Sequence, residues 1–196
     1  MVLDLFQQHE LTISQFASAE SLVTRLLSCG LSQASAKRKA EQFVRVAHTF
    51  IECGKLPNQL VYACHVPGRI EVLGKHTDYA GGRSLLVAAD RGFCLIAVPL
   101  SDPDVQMTDV ASGCTTRFVI DPDLAPLVGH WSNYPMTVAR RIARNFPGHL
   151  RGARIAFLSD LPPAAGMSSS SAMMIATFLA LVKCNELFTR DAYRRN

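Results

Sequence analysis

The segment Leu161-Pro162-Pro163-Ala164-Ala165-Gly166-Met167-Ser168-Ser169-Ser170-Ser171-Ala172 sets small side chains, a glycine and four serines ahead of an apolar run. Small residues let a backbone approach a ligand closely, and Gly166 permits dihedrals that other residues resist. The serines open an expected helix whose first amides lack partners within it and whose dipole adds partial positive charge. A phosphate group fits such a place. A serine hydroxyl there can also ligate magnesium, which prefers oxygen. The same residues read equally as a capped helix start behind a small-residue turn, because serine is a favoured N-cap in any protein. The pattern G-x-x-x-x-G-K-S/T is absent, and no G-x-G-x-x-G follows a strand. Any phosphate cradle here is therefore of another kind.

A second chemically dense stretch runs Pro67-Gly68-Arg69-Ile70-Glu71-Val72-Leu73-Gly74-Lys75-His76-Thr77-Asp78-Tyr79-Ala80-Gly81-Gly82. Asp78 can accept hydrogen bonds from the hydroxyls of a polyhydroxy substrate, and His76 can donate or accept. Arg69 can offset charge on a transferring phosphoryl group or an attacking oxygen. The alternative is a polar turn carrying a surface ion pair.

Taken together, these segments resemble a known family. Pro67-Gly68-Arg69, Gly74-Lys75-His76-Thr77-Asp78-Tyr79 and Gly82 resemble the galactokinase signature P-G-R-V-N-L-I-G-E-H-T-D-Y-N-x-G. Pro162-x-Ala164-x-Gly166-Met167-Ser168-Ser169-Ser170 is similar to the motif P-x-G-x-G-L-S-S-S of the GHMP kinase superfamily. Trp131-Ser132-Asn133-Tyr134 resembles the W-x-N-Y stretch between them. The resemblance spans residues 67 to about 182 and leaves the first sixty residues unmatched. It implies an α+β, ribosomal protein S5 domain 2-like two-layer domain and transfer of the ATP γ-phosphoryl group to a sugar hydroxyl, at C1 in galactokinases. By the same resemblance Arg69 assists the attacking hydroxyl. Lys75, His76, Asp78 and Tyr79 take sugar-binding places, and Trp131 lies near the nucleotide. Pro162, Ala164, Gly166, Met167, Ser168, Ser169, Ser170 and Ser171 line the ATP site, with Ser170 reaching magnesium.

The departures are specific. Lys75 stands where galactokinases carry glutamate, exchanging an acceptor-only group for a donor-only one. An acidic sugar suits that ammonium through a charge-assisted bond, so a sugar acid joins galactose as an expected substrate. Glu71 replaces an asparagine and can pair with Arg69 instead. Ala164 replaces a glycine but stays small. The family's catalytic aspartate and third glycine-rich motif fall beyond Asn196, so this chain is expected to be an incomplete fragment, inactive without a C-terminal domain. A non-catalytic sugar- or ATP-binding homologue is the alternative. A kinase of non-sugar alcohols is disfavoured by the His76-Thr77-Asp78-Tyr79 string.

The elements that must position these residues follow from periodicity. Helices are expected at 19–29, with Ser18 as cap, and from 33 to 54, where Ala36, Ala40, Phe43, Ala47 and Phe50 form one face. Strands are expected at 60–66, 70–73, 85–88, 94–98, 105–110 and 115–120. A helix at 131–145, a strand at 153–158 and a helix at 169–188 complete the order, which suits an α+β sandwich. Residues 1–57 are thus expected to be a helical extension, ahead of what the resemblance implies is a kinase-type domain at 58–196. Of the 196 residues, 48% are hydrophobic and 18% charged, an ordinary globular composition. The formal charge of +4 comes without an arginine-rich stretch, so no nucleic-acid partner is expected. The runs Lys37-Arg38-Lys39 and Arg194-Arg195 read as solvated surface. Six scattered cysteines suggest reduced thiols in a cytoplasmic protein. No membrane span, protein-held metal or nucleophile elbow is expected.

Overall fold

Alternation along one strand decides the architecture. Phe93, Leu95 and Ala97 belong to one hydrophobic core, and Cys94, Ile96 and Val98 to another. Successive side chains of a strand point to opposite faces, so this strand must be covered on both sides. The computed structural model describes residues 3–4, 11–16, 18–52, 54, 58–74, 78–162, 165–190 and 193. Its strands are β1 (Leu3–Asp4), β2 (Leu11–Thr12), β3 (Leu60–Leu73), β4 (Leu85–Pro99), β5 (Asp104–Asp109), β6 (Thr115–Val119) and β7 (Ala153–Ser159). The helices are α1 (Ala19–Ser28), α2 (Gln33–Glu52), α3 (Asn133–Asn145) and α4 (Ser169–Cys184).

The strands lie in the order β1-β3-β4-β7-β5-β6, with β2 also paired to β3. Every described pairing is antiparallel except β5 with β7. Helices α3 and α4 cover one face through Val138, Ile142, Ala176, Ala180 and Leu181, which meet Val66, Leu95, Ile155 and Phe157. On the other face α1 and α2 bring Leu22, Leu26, Phe43, Val46 and Phe50 against Ala63, Ile96 and Leu158. The mixed α+β layout agrees with the expected fold class, and the helical residues ahead of β3 share a core with the sheet.

Four expected strands become two. The segments 60–66 and 70–73 join in β3, and 85–88 and 94–98 join in β4. The Pro67-Gly68 break in one strand lies opposite the glycine break in the other, with Pro67 paired to Gly92. Register shifts absorb both irregularities, so the hairpin continues through them. Helix α4 stops at Cys184, short of 188. There the Asn185 side-chain amide donates to Leu181 O at 2.9 Å and to Arg151 O at 2.8 Å. Its oxygen accepts the Arg151 amide at 2.7 Å. One side chain thus satisfies a terminal carbonyl and binds the helix end to the approach of β7. The expected Ser18 cap makes no side-chain hydrogen bond to α1.

Candidate active site

The β3–β4 hairpin carries the Pro67-Gly68-Arg69 turn directly against the loop that enters α4. The Arg69 amide donates to Met167 O at 3.0 Å. Gly68 is buried beneath this junction, and a Cβ placed on it would lie 2.9 Å from Met167 O and 2.5 Å from Leu161 Cδ2. The backbone oxygen cannot yield as a flexible side chain can, so glycine is what permits the approach. Two motifs distant in sequence are thereby joined by a main-chain hydrogen bond.

Past the junction, Gly166 has φ +68° with open space around it. Ser168 adopts φ 55° and ψ 41°, a left-handed conformation uncommon outside glycine. Its carbonyl accepts the Ala172 amide at 3.0 Å, yet its side chain makes no cap bond. The first amides of α4 are therefore left without a serine cap. Ser169 and Ser171 are exposed, while Pro162, Met167, Ser168 and Ser170 are half-buried. The hydroxyls of Ser168 to Ser171 are oxygen donors of the kind magnesium takes, so the residue set fits that ion. Ala164 lies outside the described residues.

On the hairpin side Arg69 is exposed and Glu71 half-buried. Arg38–Asp90, Lys39–Asp160 and Arg144–Asp123 are the ion pairs among the described residues, so Arg69 does not pair with Glu71. Beyond β3 the hairpin narrows at Gly74, where a Cβ would come within 2.4 Å of Arg83 O. Ser84 Oγ closes this neck by donating to Gly74 O at 3.2 Å. Asp78 and Tyr79 form a short 3-10 turn with Ala80, and Tyr79 is 78% exposed. Lys75 and His76 lie outside the described residues. Trp131 packs edge-on against Phe157 of β7, with ring centroids 5.7 Å apart. That strand runs on into the serine-rich loop.

A polar cluster under the junction was not legible as a site. Lys39, expected on the surface, is completely buried. It lies on the apolar face of α2 with Ala36, Ala40, Phe43, Val46 and Ala47. Its Nζ donates to both carboxylate oxygens of Asp160, at 2.8 and 2.7 Å, and to Gln42 Oε1 at 3.2 Å. Asp160 Oδ1 also accepts the Gly92 amide at 2.8 Å. Cys94 Sγ donates to the same Gln42 oxygen at 3.3 Å. Burial pushes the Asp160 carboxyl up, but the Lys39 and Gly92 hydrogen bonds and the Lys39 charge outweigh it, leaving it below the usual range. Burial drives the Cys94 thiol far up, which makes it inert as a nucleophile at neutral pH. The position of Lys39 on the core stripe was the available signal.

His65 sits beside this cluster, 4% exposed, and its Nε2 has no hydrogen-bond partner among the described residues. Desolvation first, and the Lys39 charge second, lower its pKa from 6.5 to about 4. The unfolded chain takes up this proton near pH 6.5, the folded one only near 4. The neutral ring's contribution to stability is therefore complete above pH 6.5 and lost as pH falls toward 4. Asp160, also lowered, adds a loss in the same direction below the ordinary carboxylate range. Urea unfolding at pH 7, 5.5 and 4.5 is expected to show falling stability, with a shallower fall in His65→Asn. An equal slope in both proteins would remove His65 from the account.

Residues 133–194 match the family model for the GHMP kinases N terminal domain, and residues 53–99 match the galactokinase galactose-binding signature. The galactokinase of Chloroflexus aggregans is 36% identical over 138 residues, 68% of this chain and 34% of that protein. A Roseiflexus galactokinase is 37% identical over 125 residues, 62% of this chain and 31% of that protein. The chain thus spans about a third of the length of the curated relatives it matches. The Lactococcus lactis galactokinase complexed with galactose superposes with a TM-score of 0.61 at 24% identity, covering 74% of this chain and 37% of the other. The Methanococcus jannaschii mevalonate kinase gives 0.55 at 14% identity, covering 70% and 43%. At these identities the two structures speak for the fold.

Proposed function

We propose, from the matches to the GHMP kinases N terminal domain and the galactokinase galactose-binding signature, that this chain is the nucleotide- and sugar-binding part of an ATP-dependent sugar kinase. The observation that carries the reading is the hydrogen bond from the Arg69 amide to Met167 O, which sets the signature's arginine beside the serine-rich loop. The sugar hydroxyl oxygen forms a bond to the γ-phosphorus, the bond from that phosphorus to the β–γ bridging oxygen breaks, and ADP leaves. The amides at the start of α4 and the backbone around Gly166 hold the phosphates. Pro162, Ala164, Met167, Ser168, Ser169 and Ser171 shape that cradle, with Trp131 toward the nucleotide. Ser170 would hold magnesium, which when bound neutralises charge on the phosphates. Arg69 stabilises charge on the attacking oxygen. His76, Asp78 and Tyr79 hold the sugar.

The base that takes the hydroxyl proton belongs, in this reading, to a C-terminal portion, as does the rest of the substrate enclosure. Residues 58–196 form the kinase-type domain in this reading, and 1–57 form an extension that is not helical throughout as expected, since β1 and β2 pair with β3 while α1 and α2 pack on the sheet. We place the protein in the cytoplasm, where ATP is available and free thiols such as Cys94 and Cys184 stay reduced. Titrating the full chain with Mg·ATP is expected to give saturable binding, and a flat titration would overturn the assignment. The second reading, a sugar- or ATP-binding homologue without turnover, is favoured by Lys75 and Glu71 at positions where the signature differs. Binding of both ligands by the complete protein without ADP release would select it.

Lys75 tunes the sugar class. Its ammonium suits a uronate carboxylate better than a neutral hydroxyl. Lys75→Glu in the complete protein is expected to shift the kcat/KM ratio toward galactose over galacturonate by about tenfold or more, as a charged hydrogen bond exchanged for a repulsion would give. An unchanged ratio in a sugar panel would remove Lys75 from specificity.

A further inference from the structure

We infer that Lys39 of α2, acting through Asp160, is a positioning residue that fixes the serine-rich loop against the Pro67-Gly68-Arg69 turn. Asp160 is the first residue past β7 and opens the segment that leads through Leu161 to Ser168. Its carboxylate receives donors from two separate elements. Lys39 Nζ reaches it from α2 at 2.7 and 2.8 Å, and the Gly92 amide from β4 at 2.8 Å. Its own amide returns a bond to Gly92 O at 3.3 Å. Gly92 pairs with Pro67, the residue that begins the arginine turn. One carboxylate thus holds the root of the serine-rich loop and the strand beneath the arginine turn, with Lys39 as its counter-charge.

The energetics agree with a positioning role. A fully buried ion pair contributes little net stability compared with an apolar pair of the same shape, because both charges must leave water. What such a pair supplies is a single geometry, since any displacement leaves a charge buried without its partner. The Lys39 side of the pair meets that description, being 0% exposed with Asp160 and Gln42 as its partners, while the Asp160 side chain stays 23% exposed. The neighbouring Arg38–Asp90 pair is exposed on both sides and constrains nothing comparable.

The inference rests on the kinase reading only for its nucleotide consequence, so two measurements separate the two. The first is amide hydrogen exchange in the ligand-free full chain. In Lys39→Met the Arg69 amide, protected by Met167 O, is expected to exchange at least tenfold faster. The amides of Val46 in α2 and Ile155 in β7 are expected to keep their protection. A role confined to stability would instead raise exchange at all of these together, and that result overturns the inference, as does an unchanged Arg69 amide. Arg38→Gln is expected to alter neither set. Should Lys39→Met not fold, Asp160→Asn keeps the side-chain shape and an acceptor for Gly92 and carries the same test. The second measurement is Mg·ATP titration of the folded variants, expected to show at least tenfold weaker binding. Wild-type binding matched by equal binding in both variants overturns the positioning role alone. Absence of wild-type binding, with the Arg69 amide still selectively released, upholds the positioning of the loop and overturns the kinase reading.

Discussion

Replacing Arg69 with alanine in the complete protein is expected to lower kcat for the proposed sugar phosphorylation by about 100- to 1,000-fold, with little change in Mg·ATP affinity. The asymmetry follows from how the residue is held. Its backbone amide is fixed to Met167 O and its strand position pairs with Ala88, and neither bond involves the side chain. Alanine therefore preserves the junction and removes only the exposed guanidinium. In the proposed reaction that cation faces charge which grows as the hydroxyl attacks, so its loss falls on the transition state more than on bound substrate. Arg69→Lys should recover part of the rate, because an ammonium supplies charge without the planar fork. Steady-state kinetics with ATP and sugar varied separately checks this. A loss below threefold, or one confined to the KM for ATP, would remove Arg69 from the chemistry.

Gly92→Ala is expected to destabilise the fold by about 3 kcal/mol, at the upper end of what overpacking a core costs. A Cβ at this position would stand 2.2 Å from Val66 O, 2.7 Å from Pro67 Cα and 2.9 Å from His65 Nε2. Two of the three are main-chain atoms of β3, so relief requires the hairpin itself to part. The same movement would disturb the Gly92 amide that Asp160 accepts. Gly113 is the contrasting case, with φ +71° and nothing within 4 Å of its added Cβ. Alanine there meets only the left-handed backbone penalty, about 1 kcal/mol. Chemical denaturation of both variants should rank Gly92→Ala as the more damaging, and the reverse order would show that close approach is not what requires glycine at 92.

The sequence alone determined the helices and the motifs, but not β1 and β2, which lie in residues expected to be helical. The stripe of Ala36, Ala40, Phe43, Ala47 and Phe50 places α2 on a core, and all five are buried there. Local periodicity sufficed because these side chains interact within one or two turns of helix. The Arg69 and Ser168–Ser171 segments stood out because small, basic and hydroxyl residues were concentrated at short spacing. The continuity of β3 and β4 was not legible, since Pro67-Gly68 and Gly92 read as breaks until each was found opposite the other. Ser168 read equally as an N-cap and as a ligand group, and only the structure shows that its backbone is left-handed and its side chain makes no cap bond, leaving the ligand role as the proposal.

Lys39 marks the limit most clearly. In the run Lys37-Arg38-Lys39 its charge argued for solvent, while its place on the helical stripe argued for the core. Burying an ammonium is unfavourable unless a partner is ready to receive it. That partner, Asp160, lies 121 residues away in sequence and reaches Lys39 only because β7 inserts between β4 and β5. Spacing along the chain reports which residues share a face. Whether a charge on that face is tolerated depends on what the folded chain sets opposite it, and that is a property of topology.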